Sequence, residues 1–467
     1  MGDNRRRDGN GVRTRGQWAR LKESVESRLW PLPVAAVVFA VMLGLLLPNI
    51  ELLLASDLLA GVDAVIFTGG AETARSVLSS IAGSLITATS LTFSLTVVAL
   101  QLASSQASPR VLRLFARDRQ VHATLAVFLG TFAYSITVLR SVRAETNDAA
   151  EFVPRVAVTV GFVLTLVSVI MLVFFLAHLA AQLRVETMLK DIHAETNRTI
   201  DLVGAGIEAA PAYTAAVAMP ADPRTVTAAV SGFITGRDHA ALIDAAAAHD
   251  IVVQEIRRVG ENIVAGTPLA RWWPTPAGTG AAPAAQTAAE PDAQAVAEAV
   301  ADSVRKAYSI AYERTAAQDI DYGVQQIVDI GVRALSPGIN DPTTAVNALG
   351  HLSAIITRIV QLSTLPAALA DADGTVRVVT VTRTASQTIR DALSPMRHYG
   401  AGDASVMARF LQLIDDLSYT CTAEEVRAAL LHQLSALEQQ LRVQTDDPFA
   451  VADMRAAVAS LTARLVR

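Results

Sequence analysis

Eight hydroxyl and amide side chains recur along one charge-free stretch, residues 77–105 (VLSSIAGSLITATSLTFSLTVVALQLASS), and just past its end. On a helix at about 100° per residue, Ser80, Ser84, Thr87, Ser90, Ser94, Gln101, Ser105 and Ser108 fall in one sector roughly 120° wide. A lipid-facing surface needs no such stripe. Small and hydroxyl side chains let helix backbones approach in a membrane and hydrogen-bond across the contact. They also line water-filled paths without fixing charge selectivity. The stripe therefore faces either another helix or water, and both readings stand on the sequence.

A second polar group lies far along the chain. RALSPGINDPTTAVNALGHL, at 333–352, carries a Ser336-Pro337-Gly338 turn signal. Asp341 is placed to cap a helix whose first residue is Pro342. Upstream, YERTAAQDID supplies Glu313, Arg314, Asp319 and Asp321. Together with Asn340 and Asp341 these make a candidate polar cluster, suited to binding an ion or to coupling this region to the membrane. The plainer reading is a turn with caps and ion pairs.

Other chemistry is not signalled. There is no GxxxxGK[ST] phosphate loop, no strand-linked GxGxxG and no GxSxG elbow. One cysteine, Cys421, and scattered histidines give no zinc spacing. An enzyme is not expected, nor a metal or cofactor. The net charge of −5 gives no reason to expect nucleic acid as a partner.

The elements that position these residues follow from composition. Of 467 residues, 52% are hydrophobic and 18% charged, against roughly a quarter charged in a soluble chain. The deficit lies in the first 185 residues. Four apolar runs there are long enough to cross a bilayer: Pro31 to about Leu54, 77–105, Val121–Leu139, and Pro154 to about Ala181. No Asp, Glu, Lys or Arg lies in the middle of any of them, which argues against an ion-coupled transporter.

Orientation follows from basic residues in short flanks. Arginines crowd the arm 1–30, the loop after the second run (Arg110, Arg113, Arg117, Arg119) and the segment after the fourth. These flanks predict N-in and C-in, multi-pass, in a bacterial inner membrane. Arg110, next to Pro109, and Arg113 and Arg117, in VLRLFARDR at 111–119, either ring a cytoplasmic vestibule or act as positive-inside anchors.

After the spans, an amphipathic helix is expected to continue the fourth run through 182–210. A small β-rich unit follows to 273, and 274–292 is a Pro/Ala/Gly-rich low-complexity loop. A mostly helical region occupies 293–467, with a strand at 376–383. The domains read as 1–30, 31–183, 184–273, 274–292 and 293–467. The fold class is a four-helix transmembrane domain followed by a cytoplasmic α+β domain.

The segments SLTFSLTVVALQLASSQASPRVLRLFARDR and YERTAAQDIDYGVQQIVDIGVRALSPGINDPTTA resemble the bacterial predicted membrane proteins called domain of unknown function 2254. The likeness runs over roughly 30–445. It implies an integral membrane protein with four N-terminal spans and a cytosolic domain, and brings no catalytic residue. The reading favoured is a homo-oligomeric pore for ions or small solutes, lined by the second span and embedded in the lipid bilayer. Four spans in one chain are too few to enclose a wide path, so a pore calls for several copies in closed symmetry. The alternative is a non-conducting anchored sensor or scaffold.

Overall fold

The computed structural model describes residues 30–53, 67–106, 118–144, 151–208, 212–213, 219–276, 290–361, 368–420, 423–444 and 448–466. The chain forms two compact units, Met1–Thr187 and Met188–Arg467.

In the first unit the four apolar runs are helices: α1 (Pro31–Leu53), α2 (Ala71–Gln106), α3 (Arg119–Ser141) and α4 (Arg155–Gln182). All four have the length and composition to cross a membrane. The first N–H groups of a helix lack intrahelical partners and carry partial positive charge. Carboxylates meet them here. The Ala71 N–H donates to Glu151 at 2.6 Å, the Val156 N–H to both oxygens of Glu51 at 3.2 Å, and the Gln120 N–H to Asp118 at 2.9 Å. Asp118 also binds His178 of α4 at 2.5 Å. The helix ends are thus tied to one another by acids drawn from the neighbouring segments.

The helix α3 is the centre of this unit and packs on α1, α2 and α4. It is the least apolar span, yet 56% of it is buried, against 17% for α2 and α4. Its polar side chains are accommodated inside. The Tyr134 hydroxyl donates to the Ala157 carbonyl at 2.8 Å, and Ser168 of α4 donates to Thr131 at 3.3 Å. Gly130 lies against Ala36 and Gly44 against Thr137, so α1 and α3 approach closely. The outer surfaces of α1 and α4 are large apolar residues, among them Phe39, Met42, Phe162 and Phe174.

The fourth run and the next helix are separate, a correction to the single helix expected through 182–210. The Leu183 N–H still reaches the Leu179 carbonyl, but the Arg184 N–H bonds only three residues back, to Ala181. That tightening ends α4, and α5 (Val185–Glu208) begins anew.

The second unit combines two sheets with helices. In chain order its elements are β1 (Ala212–Tyr213), β2 (Arg224–Thr227), β3 (Gly232–Arg237), α6 (His239–Ala248), β4 (Ile251–Glu255), β5 (Asn262–Ile263) and β6 (Pro268–Pro274). Then come α7 (Glu290–Lys306), β7 (Tyr308–Ala311), α8 (Ile320–Ala334), α9 (Pro342–Gln361), β8 (Ala368–Ala370) and β9 (Val376–Val379). Four helices close the chain: α10 (Ala385–Gly400), α11 (Ala404–Thr420), α12 (Glu424–Gln444) and α13 (Pro448–Val466).

The larger sheet runs β1-β8-β9-β4-β6-β2, with only the β4–β9 pair parallel, and the smaller runs β5-β3-β7. Val226, Ile234, Leu242, Val253, Trp272 and Val300 are core residues between these sheets and helices. Strands from both sides of 274–292 share each sheet, so the boundary expected there does not separate two bodies. Most of that stretch, 277–289, lies outside the described residues.

The last four helices lie in the stretch expected to be mostly helical. The strand expected at 376–383 stops at Val379. Its continuation leaves the ladder because the Val381 N–H donates to Glu255 and its carbonyl accepts from Arg237.

Among the helices, α8 lies against α5 so closely that a Cβ on Gly323 would sit 1.9 Å from the Thr196 hydroxyl and 3.0 Å from its Cβ. Thr196 is buried, and overpacking of this kind typically costs about 1–3 kcal/mol. Gly323→Ala is expected to lower the thermal unfolding midpoint of the full chain in detergent. Adding Thr196→Ala should restore most of the loss. An unchanged midpoint for the single variant would show that the helices do not meet at Gly323.

Candidate functional site

The position of the α2 stripe within its own protomer is the main functional datum. Ala71, Ala74, Leu78, Ile81, Ala82, Leu85, Thr92 and Ala99 are the buried positions of this helix among those described. Ser80, Ser84, Thr87, Ser90, Ser94 and Gln101 are all exposed, as is Gly83 among them. At about 100° per residue the stripe centres about 160° from the buried face. Among the described residues the hydroxyls therefore do not pack inside the chain's own bundle.

A third sector of α2, with Ile86, Phe93 and Val97, is exposed and apolar. Leu91, Val98 and Leu102 share the hydroxyl sector in the second half of the helix. Two stripe hydroxyls bond to carbonyls four residues back, Ser84 to Ser80 at 2.7 Å and Thr87 to Gly83 at 2.9 Å. Ser105 is in the helix, with its side chain outside the description; Ser108, Arg110, Arg113 and Arg117 lie outside the described residues.

The expected polar cluster is two sites at opposite ends of α8. At about 1.5 Å per residue, 15 helical residues separate its N-cap from its C-terminus by about 22 Å. At the far end, Asn340 takes a left-handed φ of 50° in the turn. Asp341 caps α9 through the Thr344 N–H at 3.1 Å and also binds the Thr344 hydroxyl. Those bonds to Thr344 hold the Asp341 carboxyl below the usual carboxylate range.

At the near end the YERTAAQDID loop ties elements together. Arg314 forms a two-pronged pair with Asp319 at 2.9 and 3.0 Å, and Asp319 caps α8 through the Tyr322 N–H at 3.0 Å. Gln318 brackets the backbone of Arg237 on β3, accepting its N–H at 2.9 Å and donating to its carbonyl at 3.1 Å. Thr199 of α5 donates to the Ala316 carbonyl at 2.7 Å. Asp321 pairs with Arg383 at 3.0 Å. Glu313 is engaged as well.

Above the ion pair sits Gly260, with φ 91°. A Cβ there would lie 2.3 Å from an Asp319 oxygen, so both the backbone sign and the space demand glycine. Asp319 is almost wholly buried. Burial pushes its carboxyl up to about 6, and Arg314 pulls against that shift.

A further group went unread in the sequence. Glu255, with a fully buried side chain, binds Arg237 at 2.6 Å through one oxygen. The other oxygen lies 3.4 Å from His239 Nε2. That oxygen, His239 Nε2 and the Tyr308 hydroxyl have no hydrogen-bond partner among the described residues. Burial, then the Glu255 carboxylate, pushes the Tyr308 hydroxyl up. The signal available was alternation: Ile251, Val253 and Glu255 share a strand face, which places a carboxylate on the core side. The arrangement clamps β4 of one sheet to β3 of the other. Among the described residues no group of three or more His, Cys, Asp or Glu side chains is placed to hold a metal ion.

Comparison with known proteins agrees with this picture of spans and a mixed region. A family described as predicted membrane protein, domain of unknown function 2254, matches residues 26–416. The chain is 30% identical over 412 residues to an uncharacterized protein of Mycobacterium bovis, covering 88% of this chain and 75% of that one. An uncharacterized protein of Mycobacterium tuberculosis is similar to the same extent, 30% over 412 residues with the same coverage. No solved structure matches.

The buried ion pair has a pH signature. Asp319 holds its proton to about pH 6 when folded, whereas an unfolded aspartate releases it near 3.9. Between those values the folded state binds more protons, so the contribution of Asp319 to stability falls as pH rises through the window. The loss amounts to at most about 3 kcal/mol at 1.36 per pKa unit. Asn keeps the cap without titrating. The stability difference between wild type and Asp319→Asn, from denaturation of the full chain in detergent, is expected to decline from pH 4 to pH 6 and then level off. A difference that is flat across this range would mean that Asp319 titrates normally.

Proposed function

The chain belongs to the predicted membrane protein family known as domain of unknown function 2254, and we propose that it forms a homo-oligomeric pore for ions or small solutes, lined by α2. The observation that carries this reading is a mismatch in α2. The low apolarity of α3 is matched by its burial. The helix α2 is also less apolar than α1 and α4, yet only 17% of it is buried, the same share as in α4. Its exposed hydroxyl face, opposite its packing face, calls for a cover other than lipid. Copies of α2 around a symmetry axis supply one.

In this reading the hydroxyl-rich half, Ser80 to Ser94, forms a wet wall. Leu91, Val98 and Leu102 narrow the same wall with apolar side chains, and a constriction of that kind gates by dewetting. The absence of charge at mid-span fits passive conduction rather than coupled transport. The basic flanks favour a bacterial inner-membrane location with both termini and the second unit in the cytoplasm.

The back-bonded hydroxyls of Ser84 and Thr87 favour a second reading. Their protons are already satisfied within the helix, so the stripe also suits a dry contact between copies. The protein is then a non-conducting anchored sensor or scaffold.

Current through purified protein in planar bilayers separates the two. Discrete conductance is expected for the wild type, and its loss in Ser94→Trp and Gln101→Trp, with the oligomer intact by size. Silence of the intact oligomer under voltage, tension and several salts would remove the pore reading and leave the scaffold.

A further inference from the structure

Two histidines meet where α5, the first segment of chain after the fourth span, crosses α9. The Nδ1 atoms of His193 and His351 lie 3.0 Å apart, with the rings edge to face at 5.0 Å between centroids. Both side chains are half-buried. Farther along the same two helices Arg358 of α9 binds Asp201 of α5 at 2.5 Å. Of these contacts between the two helices, one is between like atoms and the other between opposite charges.

Proton count determines the first contact. An Nδ1···Nδ1 hydrogen bond needs one hydrogen between the two atoms, so one ring donates and the other accepts. A first added proton goes to the outer nitrogen of the donor ring and leaves the bond in place. A second can only go to the accepting Nδ1. Two N–H groups and two positive charges then face each other at 3.0 Å, and the contact cannot persist.

The surroundings oppose both steps. Burial, then the Arg358 guanidinium, lowers the proton affinity of His193; burial, then His193, lowers that of His351. The other charged groups are already placed. Lys190, Asp191 and Glu195 flank His193 on α5. On α11, Arg409 comes within 4.0 Å of a Cβ built on Gly350 and pairs with Asp416, which also accepts from Ser353. The helix α8 contributes Asp321, bound to Arg383, with Asp329 and Arg333 toward its other end. The Oδ1 of Asn197, one turn beyond His193, is buried without a hydrogen-bond partner among the described residues.

We propose that the His193–His351 contact is a proton-operated latch between α5 and α9, which opens when the second imidazole is protonated. The sign follows from linkage. Both histidines hold protons less readily when packed than when free, so the latch contributes its full stability above about pH 6.5 and loses it as pH falls below that. Opening takes up as many as two protons, which makes it steeper than a single titration. Both histidines lie within the second unit, and the latch does not depend on whether the protein conducts.

The test uses the full chain in nanodiscs, with Cys421 replaced by Ala and spin labels at Arg198 and Asn347, exposed positions on α5 and α9. Electron–electron distance measurements from pH 8 to pH 5 are expected to show one population at high pH. A second, longer and reversible population should grow below about pH 6.5, where free imidazole takes up its proton. His193→Asn with His351→Asn should abolish the change, and either variant alone should reduce its proton stoichiometry to at most about one. A wild-type distribution that is constant over the range overturns the latch. So does a transition that persists in the double variant, which would assign it to other groups.

Discussion

Hydrocarbon offers no hydrogen bond, and that constraint organises the whole first unit. Every polar side chain in a span has to bond within its helix, be covered by protein or face water. The helix α3 takes the second course. It carries His122, Thr124, Thr131, Tyr134 and Ser135 at buried positions, and α1, α2 and α4 surround it. The inside-out ordering follows: the least apolar span is central, and α1 and α4, the most apolar, turn large side chains outward. In a soluble bundle the same hydropathy order would place the helices the other way round. The carboxylates of Glu51, Asp118 and Glu151 serve the same constraint at the helix ends, where unpaired N–H groups would otherwise meet the interface.

In the second unit the equivalent part belongs to the loop between β7 and α8. A 15-residue helix, a strand of the smaller sheet and the helix that follows the spans all touch it. Buried, charged Asp319 would be costly alone; paired with Arg314 and bonded to the Tyr322 N–H it becomes a fixed point. Gly260 can approach only because it has no side chain, and Gln318 copies the pattern of a strand partner along Arg237. Glu255 repeats the device nearby, and it diverts Val381 from the sheet to do so. Two buried carboxylates, each held by an arginine, thus set where strands end and where helices begin.

The sequence carried more of the helices than of their meetings. Span limits were legible to within two residues, since apolar runs and their charged flanks are local, except that α2 begins at Ala71, six residues before the expected 77. Caps were legible for the same reason: Asp341 and Pro342 stand where their types place them. The end of α4 was not, because Leu183-Arg184 contains no glycine or proline and only a change in carbonyl partner marks the break. The grouping of Asn340 and Asp341 with Asp319 failed on distance. The helix α8 lies between them, and its length alone holds them apart. The sharing of sheets across 274–292 depends on pairings between strands more than 100 residues apart, such as β4 with β9, and no local pattern announces them. The Glu255 cluster lay between these cases, with alternation giving the face but not the partners.

The helix α2 remains the element that one protomer does not explain. A span at the edge of a monomeric bundle needs two faces, one for protein and one for lipid. This one has three. Ala74, Leu78 and Leu85 belong to the first; Ile86, Phe93 and Val97 suit the second. The third, from Ser80 to Ser94, gains little from lipid and is exposed among the described residues. Back-bonding lowers the cost of leaving such hydroxyls uncovered but gives no reason to gather them on one side. A face that is small, hydroxylated and continuous is what a repeated contact about an axis would use, whether the axis is dry or filled with water. The proposed pore puts water on that axis, whereas a scaffold built on the same contact would keep it dry.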